Sequence, residues 1–322
     1  MSIHFIVPSQ FAEQLAALPD QTVGGNYPYW LGGRFNWVAQ SYMILRQYRE
    51  GMTISSAPKP GVRNFSHCMG WRATGDRVGE YRISVRADYP RLRDVDFELL
   101  QNSVAPRGAK QAYVPYWPVP GIIPRDPARQ GVSRIAYAGR LGANNLAGPL
   151  KSLGIQPGGR ELAVIAPDQW HDMSRVDLLI AVRDFSGATH DNKPPSKLFN
   201  SWIAGIPLIG GTDSAFSSVG KPGIDYVRVT NESEFTKALE RMCNDSGFYE
   251  AIVQAGKGRR TEVTIEAIAA DWLKVLDGPI LSDFQAWCAN QGHNRRPVLP
   301  PLLDRSRDAL STIKQKLSPR RL

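Results

Sequence analysis

The sequence lacks the residue groupings that build metal centres and disulfide frameworks. Its three cysteines, Cys68, Cys243 and Cys288, are far apart and odd in number. There is no histidine or cysteine cluster, and no Asp-x-Asp pair lies in a loop suited to hold a divalent metal on a nucleotide. The cysteines are therefore expected to be small buried side chains in a reducing compartment. We expect neither a metal nor a bound cofactor.

The sequence also lacks long apolar runs and nucleic-acid signatures. No run approaches the ~20 residues that a membrane helix needs, and the first residues, MSIHFIVPSQ, do not resemble a secretory leader. No zinc finger and no aromatic-basic RNA motif is present. These absences predict a cytoplasmic protein that does not bind nucleic acid.

Positive charge is concentrated at one end of the sequence. The formal net charge is +9, and residues 294–322 hold eight basic and two acidic side chains. Four apolar residues of this tail lie near one helical stripe: Leu303, Leu310, Ile313 and Leu317. Because basic amphipathic helices bind anionic membranes, the tail predicts peripheral attachment at the inner membrane face. A helix packed on the body and a solvated end are the alternatives.

Short apolar segments alternate with helix-like segments along most of the chain. Strands are expected at IHFIVP, MTISSAP, EYRISVRADYP, FELLQN and QAYVPYW, and again at VSRIAYAG, RELAVIAP, VDLLIAVRD, IPLIGG and DYVRV. This alternation is typical of α/β domains with mostly parallel sheets. Four prolines between residues 118 and 131 interrupt the pattern. We therefore expect two α/β domains of similar size with a cleft between them.

The stretch DNKPPSKLFNSWIAGIPLIGG, residues 191–211, predicts a loop, a helix and a buried strand. Ligands of parallel α/β sheets bind beyond the carboxyl ends of the strands. The two prolines suit a helix start, which places Ser196 and Lys197 in the first turn. Since a helix N-terminus attracts phosphate, the stretch predicts a phosphate-binding helix at the edge of the cleft. The alternative is an ordinary helix with a solvated lysine.

KPPSKLFNSWIAGIPLIGG resembles the donor-binding segment of GT-B glycosyltransferases, in which a helix ends in Ala-Gly-x-Pro before a strand. IAYAGRLG is similar to a strand of these enzymes that ends in Gly-Arg, and FYEAIVQAGKGRRTEVTIEAIAADWLKVL is similar to their closing helices. The resemblance covers residues 133–275 and is only architectural over residues 1–120. Together with WHDMSRVDLLIAVR, these segments also look like poorly characterised bacterial glycosyltransferase-like proteins.

The resemblance implies an α/β fold with two Rossmann-like domains in the GT-B architecture, facing across a cleft. Its predicted parts are an acceptor domain, a nucleotide-sugar donor domain, a closing helix and a basic tail, at residues 1–122, 123–275, 276–293 and 294–322. Many retaining members carry two glutamates around the donor helix, whereas Asn192 and Asn200 stand at the matching positions here. The helix is closer to those of fucosyltransferase-like and exostosin-like enzymes, in which a basic residue meets the diphosphate.

The candidates for donor binding follow predicted strands or lie near the start of the helix. They are Arg140, Arg183, His190, Asp191, Ser196, Lys197, Asn200, Thr212 and Ser214. Arginine pairs with a diphosphate in a bidentate way, and hydroxyl groups after a strand can contact phosphate or sugar. The alternatives are a surface arginine for Arg140, a structural ion pair for Arg183, and turn residues for His190 and Asp191.

An inverting transferase also needs a base near the acceptor hydroxyl. Asp88, after the strand in EYRISVRADYP, and His67, in NFSHCMGW, are the candidates in the first domain, and structural roles are the alternative for both. The sequence thus predicts a metal-independent glycosyltransferase that uses a nucleotide-sugar donor and a glycan or lipid-linked acceptor. A non-catalytic glycan-binding or nucleotide-binding module and an epimerase are the alternatives.

Overall fold

The computed structural model describes residues 2–19, 35–71, 79–87, 89, 91–92, 94–105, 108–139 and 159–290. Within these residues the chain forms two β-sheets, and every strand pair in both sheets is parallel. Parallel sheets are covered on both faces, so their strands need apolar residues on both sides. The alternation of apolar and helix-like segments in the sequence has this origin.

The first lobe is built on six strands in the order β2–β1–β3–β4–β5–β6. The strands are β1 (Ile3–Ile6), β2 (Met52–Ser55), β3 (Arg63–His67), β4 (Tyr81–Val85), β5 (Phe97–Leu100) and β6 (Gln111–Tyr113). The helices of this lobe are α1 (Ser9–Ala17), α2 (Gln40–Leu45), which follows a π-helical turn at Phe35–Ala39, and α3 (Cys68–Trp71). The interior is rich in large side chains, with Phe5, Phe65, Ile83 and Leu99 fully buried.

The second lobe is built on five strands in the order β11–β10–β9–β7–β8. The strands are β7 (Arg134–Ala138), β8 (Glu161–Ile165), β9 (Leu178–Ala181), β10 (Leu208–Gly210) and β11 (Val227–Arg228). The helices are α4 (Ser196–Ala204), α5 (Ser214–Val219), α6 (Glu232–Asn244) and α7 (Ser246–Gly258). Short 3₁₀ turns lie at Pro167–Gln169 and Arg260–Val263.

The last two described helices, α8 (Ile265–Asp277) and α9 (Pro279–Ala289), pack against the first lobe. Trp272 of α8 stacks on Trp117 at 5.4 Å between ring centroids, and its indole N–H donates to the carbonyl of Pro115. In α9, Asp283 accepts a hydrogen bond from the hydroxyl of Tyr81 on β4. Although the sequence assigns residues up to 275 to the second domain, α8 therefore lies on the first.

The proline-rich linker is fixed on both sides. In its first half, Gln40 donates to the carbonyl of Pro118, and the N–H of Val119 donates to Asn200 of α4. In its second half, the guanidinium groups of Arg125 and Arg129 pair with the fully buried Asp177 at the amino end of β9. Proline excludes regular structure here, and side-chain contacts hold the segment in place.

Asp177 also accepts hydrogen bonds from the backbone N–H groups of Ser133 and Arg134 and from the Ser133 hydroxyl. Burial opposes ionisation of this carboxyl group, but the hydrogen bonds from Arg129 and from the chain at Ser133 and Arg134 outweigh it. The pKa of Asp177 is therefore lowered.

The predicted strands are present, with shorter bounds than the apolar segments suggest. The segment NWVAQSYMILRQYREG has helical periodicity and predicts a helix that ends at Gly51, but the helix ends at Leu45. Gly51 instead adopts a φ of 75° at the start of β2, and its carbonyl accepts the N–H of Ile3 on the neighbouring strand. The predicted basic tail, residues 294–322, lies outside the described residues.

Candidate functional site

Helix α4 begins next to the carboxyl edge of the second sheet. Pro195 occupies its N-cap position, where it supplies no side-chain cap. The first turn of any helix presents N–H groups that have no partner within the helix, and here Ser196 and Lys197 follow the cap directly. At the other end, Gly205 adopts a left-handed conformation, with φ of 70°, and returns the chain to β10. The loop, helix and strand predicted for residues 191–211 are thus confirmed.

Lys197 lies over a tyrosine of β7. Its Nζ is 5.7 Å from the ring centroid of Tyr137, near the carboxyl end of β7. Burial raises the pKa of the Tyr137 hydroxyl. The ring has room because residue 139 is glycine; a Cβ there would lie 2.7 Å from ring atoms. Lys197 as a whole is half-buried at this edge of the sheet.

Arg183 forms an ion pair at the same edge. Its Nε donates to Oδ1 of Asp213 at 2.7 Å, and Asp213 is 3% exposed. Arg183 follows β9 and Asp213 follows β10, so the pair joins two adjacent strand ends. The structural ion pair considered for Arg183 in the sequence is present. The positive charge of Arg183 lowers the pKa of Tyr137, but the larger effect of burial outweighs it.

The loop before α4 carries backbone strain. His190 has a φ of 49°, a left-handed value that residues other than glycine rarely adopt. Its Nε2 is 4.0 Å from Oδ2 of Asp184. The next two residues, Asp191 and Asn192, line a cavity. Strained residues of this kind concentrate at functional sites because the surrounding structure has to hold them.

The cavity has a volume of about 320 Å³ and lies between the two lobes. Its walls come from the carboxyl ends of β4 and β5 in the first lobe and from the loop before α4 in the second. The lining residues are Arg86, Ala87, Leu100, Gln101, Asn102, Ala105, Asp191 and Asn192. One hydrogen bond crosses between the lobes here, from Nδ2 of Asn102 to Oγ of Ser214 at 2.9 Å.

The structure brings some predicted donor-binding residues together and places others in supporting positions. Asp191 lies on the cavity, and Ser214 binds a residue that lines it. Thr212 donates to the carbonyl of Ala188 and so fixes the loop before α4. Asn200 is 6% exposed and accepts the N–H of Val119, so its amide faces the linker. Arg140 lies outside the described residues.

The structure describes one of the two candidate bases. His67 is the last residue of β3 and is 3% exposed. Its Nδ1 accepts the N–H of Met69, its ring packs edge-on against Tyr89, and it does not line the cavity. Asp88 lies outside the described residues, immediately after Ala87, which does line the cavity. Both stay predictions.

Sequence reasoning missed the contribution of the first lobe to the cavity. Ala87 has a φ of 50°, and Gln101 is 3% exposed with an Oε1 that accepts no hydrogen bond within the described part of the chain. Such buried unsatisfied acceptors are rare in native structures. Arg86, Gln101 and Asn102 all follow strands, as Arg183 does, so the rule applied to the second lobe could have found them.

No protein-family model and no curated protein matches the sequence. Solved structures do match. HepE of Anabaena in complex with UDP and glucose has 10% sequence identity and a TM-score of 0.51, with 86% of this chain and 99% of that chain covered. The HepE complex with UDP-glucose gives the same values. TarM has 7% identity and a TM-score of 0.50, over 77% of this chain and 59% of that chain.

The chain has the GT-B fold. The expectation of two Rossmann-like domains is thereby confirmed, and so is the resemblance to GT-B glycosyltransferases. Among the described residues, no group of three or more histidine, cysteine or acidic side chains is arranged to hold a metal ion. None of the helices in the described ranges has the length and hydropathy to cross a membrane.

Proposed function

We propose that this GT-B protein transfers a glycosyl group from a nucleoside-diphosphate sugar to a hydroxyl group of a glycan or lipid-linked acceptor. One observation carries the proposal. The first turn of α4, which contains Lys197, begins at the edge of the second sheet, four residues after Asn192 in the wall of the cavity between the lobes. The structures of HepE contain UDP, UDP-glucose, or UDP with glucose. A uridine diphosphate sugar is therefore the first donor to test.

In the proposed reaction the bond between the anomeric carbon and the β-phosphate oxygen breaks, and the acceptor oxygen forms the new bond to that carbon. The electron pair of the broken bond leaves with the nucleoside diphosphate. The acceptor proton passes to a base of the first lobe, for which Asp88 and His67 are the candidates. The partial positive charge of the α4 N-terminus and the ammonium group of Lys197 would stabilise the leaving diphosphate without a metal.

We propose that the donor is surrounded by Arg140, Arg183, His190, Asp191, Ser196, Thr212 and Ser214. In this assignment Arg183 keeps its contact with Asp213 and offers its remaining N–H groups to the donor. We place the protein in polysaccharide biosynthesis at the cytoplasmic face of the inner membrane. The basic tail would bring the active site to a lipid-linked acceptor.

A non-catalytic GT-B module that binds a nucleotide or a glycan is the second candidate. The observation in its favour is Asn200, which stands where many retaining members carry a glutamate. Its amide oxygen accepts a hydrogen bond from the N–H of Val119. A carboxylate contact to the donor is therefore replaced by a contact that fixes the linker.

Release of free UDP separates the two candidates. The full-length protein is incubated with UDP-glucose and with other nucleotide sugars, with and without lipid-linked or oligosaccharide acceptors, and free nucleoside diphosphate is measured. Turnover that depends on protein concentration supports the transferase. Binding of a nucleotide sugar without release of nucleoside diphosphate from any donor supports the non-catalytic module.

A further inference from the structure

A second cavity, of about 610 Å³, lies beside the last turn of α4. It shares no lining residue with the cavity between the strand ends. Three parts of the chain form it: α2 of the first lobe, the linker at 118–122, and Ile203 of α4 together with Arg260 and residues 263–265 at the start of α8. We call it the hinge pocket, because its walls include both lobes and the segment that joins them.

The walls of the hinge pocket are mainly aliphatic. Ile44, Val119 and Val263 are almost fully buried beneath its surface. Ile122, Ile203 and Ile265 line it as half-buried side chains. Concave, mostly apolar cavities of about 300–1,000 Å³ with a few polar groups are typical small-molecule sites, and the hinge pocket lies within that range.

One cation stands at the wall of this pocket. Arg260 donates from Nε to the carbonyl of Trp202 at 2.8 Å, which fixes the guanidinium group against the end of α4. Its neighbour Arg259 pairs with Asp225 and Glu262. Within the described ranges no carboxylate lies within ion-pair distance of Arg260. The half-buried guanidinium group therefore keeps donors for an anion.

The polar side chains around the pocket are already engaged with the protein. The amide of Gln40 donates to the carbonyl of Pro118, and the hydroxyl of Thr264 accepts the N–H of Ala267 as the N-cap of α8. A ligand would thus meet an aliphatic wall and one fixed cation. That combination selects a molecule with an apolar body and an anionic group at one end.

We propose that the hinge pocket binds a small amphiphile, with its anionic head group at Arg260 and its apolar body between α2, the linker and the last turn of α4. Two observations carry this assignment independently of the proposed transferase activity. The first is the aliphatic pocket shared by both lobes, and the second is the cation in its wall. A medium-chain carboxylate is the natural ligand class of these dimensions and charge.

Fluorescence titration with 8-anilinonaphthalene-1-sulfonate tests the pocket, because this probe combines an apolar aromatic body with a sulfonate. The full-length protein is compared with Ile203→Trp, which fills the pocket, and with Arg260→Gln, which removes the charge. Each change should weaken probe binding about tenfold or more. Val164→Trp, at an exposed position on β8 that does not line the pocket, is the matched control and should bind as wild type does. Unchanged affinity in both pocket variants would overturn the proposal.

Competition identifies the chemistry of the ligand. Decanoate, used below its micelle concentration, should displace the probe at roughly tenfold lower concentration than decanol, since its carboxylate can form a charge-assisted hydrogen bond with Arg260. Equal displacement by the two would contradict the anionic head group. Lys197→Ala should leave probe binding unchanged, so failure of the proposed donor site and failure of the hinge pocket give different results.

Discussion

Asn102 and Ser214 join the two lobes through a hydrogen bond of 2.9 Å beside the cavity. Asn102 is 2% exposed and follows β5, and Ser214 is the first residue of α5. The same Asn102 accepts the N–H of Val104, which fixes its amide in the orientation that reaches Ser214. The carboxyl edges of the two sheets are thus held together at the place where the proposed donor and acceptor meet.

A double-mutant cycle measures this contact. Asn102→Ala and Ser214→Ala should show a coupling in the free energy of unfolding of about 0.5–1.5 kcal/mol, the net value of one hydrogen bond. Urea unfolding provides the measurement. Ser217→Ala is the control, because the Ser217 hydroxyl donates within α5, to the carbonyl of Ser214. Additive effects of Asn102→Ala and Ser214→Ala would show that the lobes are not coupled through this pair.

Asp177 should control stability toward acid. Its folded pKa is lowered, so its carboxylate contributes stability that is fully present above the unfolded value of about 4 and is lost as the pH falls through the folded pKa. Asp177→Asn should cost about 3–5 kcal/mol at neutral pH, because it leaves the partly buried Arg129 without its counter-charge.

Thermal unfolding between pH 7 and pH 3 checks this prediction. The wild-type protein should lose stability below about pH 4 more steeply than Asp177→Asn does. Asp271→Asn is the control, since its exposed pair with Lys274 is worth about 0–1 kcal/mol. Parallel pH profiles of the wild type and Asp177→Asn would exclude this role.

Much of the fold could be predicted from the sequence, because buried parallel strands are apolar on both faces and leave a local signal. The VDLLIAVRD segment and the α4 stretch are examples, and both are where the pattern places them. The packing of α8 on the first lobe could not be predicted, since the stacking of Trp272 on Trp117 joins residues that are far apart in sequence.

The candidate site was predicted in part. The residues around α4 have a local signal, since prolines, a lysine and a glycine mark both ends of one helix. The cavity needs Gln101 and Asn102 as well, which follow β5 of the first lobe, and the signal that points to them is the general rule that ligands bind beyond strand ends. Asn200 is an example in which the local sequence pattern misleads. Its spacing from Lys197 suggests a shared function, but its amide is used by the linker.

The proposed transfer should not require a divalent metal. If turnover of a nucleotide sugar is found, it should continue in EDTA, because the helix end and Lys197 offset the charge of the leaving diphosphate. Rates are compared before and after chelation, with added magnesium or manganese as a separate arm. Loss of turnover in EDTA with recovery on adding either metal would mean that a metal supplies this charge.

The basic tail should bind anionic membranes. Each basic residue near such a surface contributes about 1 kcal/mol, and salt screens the attraction. The full-length protein should co-sediment with anionic vesicles at low salt, and a chain truncated after Gln291 should stay in the supernatant. Neutral vesicles serve as the control. Equal sedimentation of both chains would remove the membrane role from the tail.

The affinity of the protein for UDP before and after the change Lys197→Ala tests the central claim most directly. Loss of a charge-assisted contact worth about 1.5–3 kcal/mol should weaken binding about 10- to 150-fold. Isothermal titration calorimetry gives the affinities, and thermal unfolding confirms that the variant is folded. Lys237→Ala, at an exposed position on α6, should bind UDP as wild type does. Wild-type affinity for UDP in Lys197→Ala would contradict the placement of the diphosphate at the start of α4.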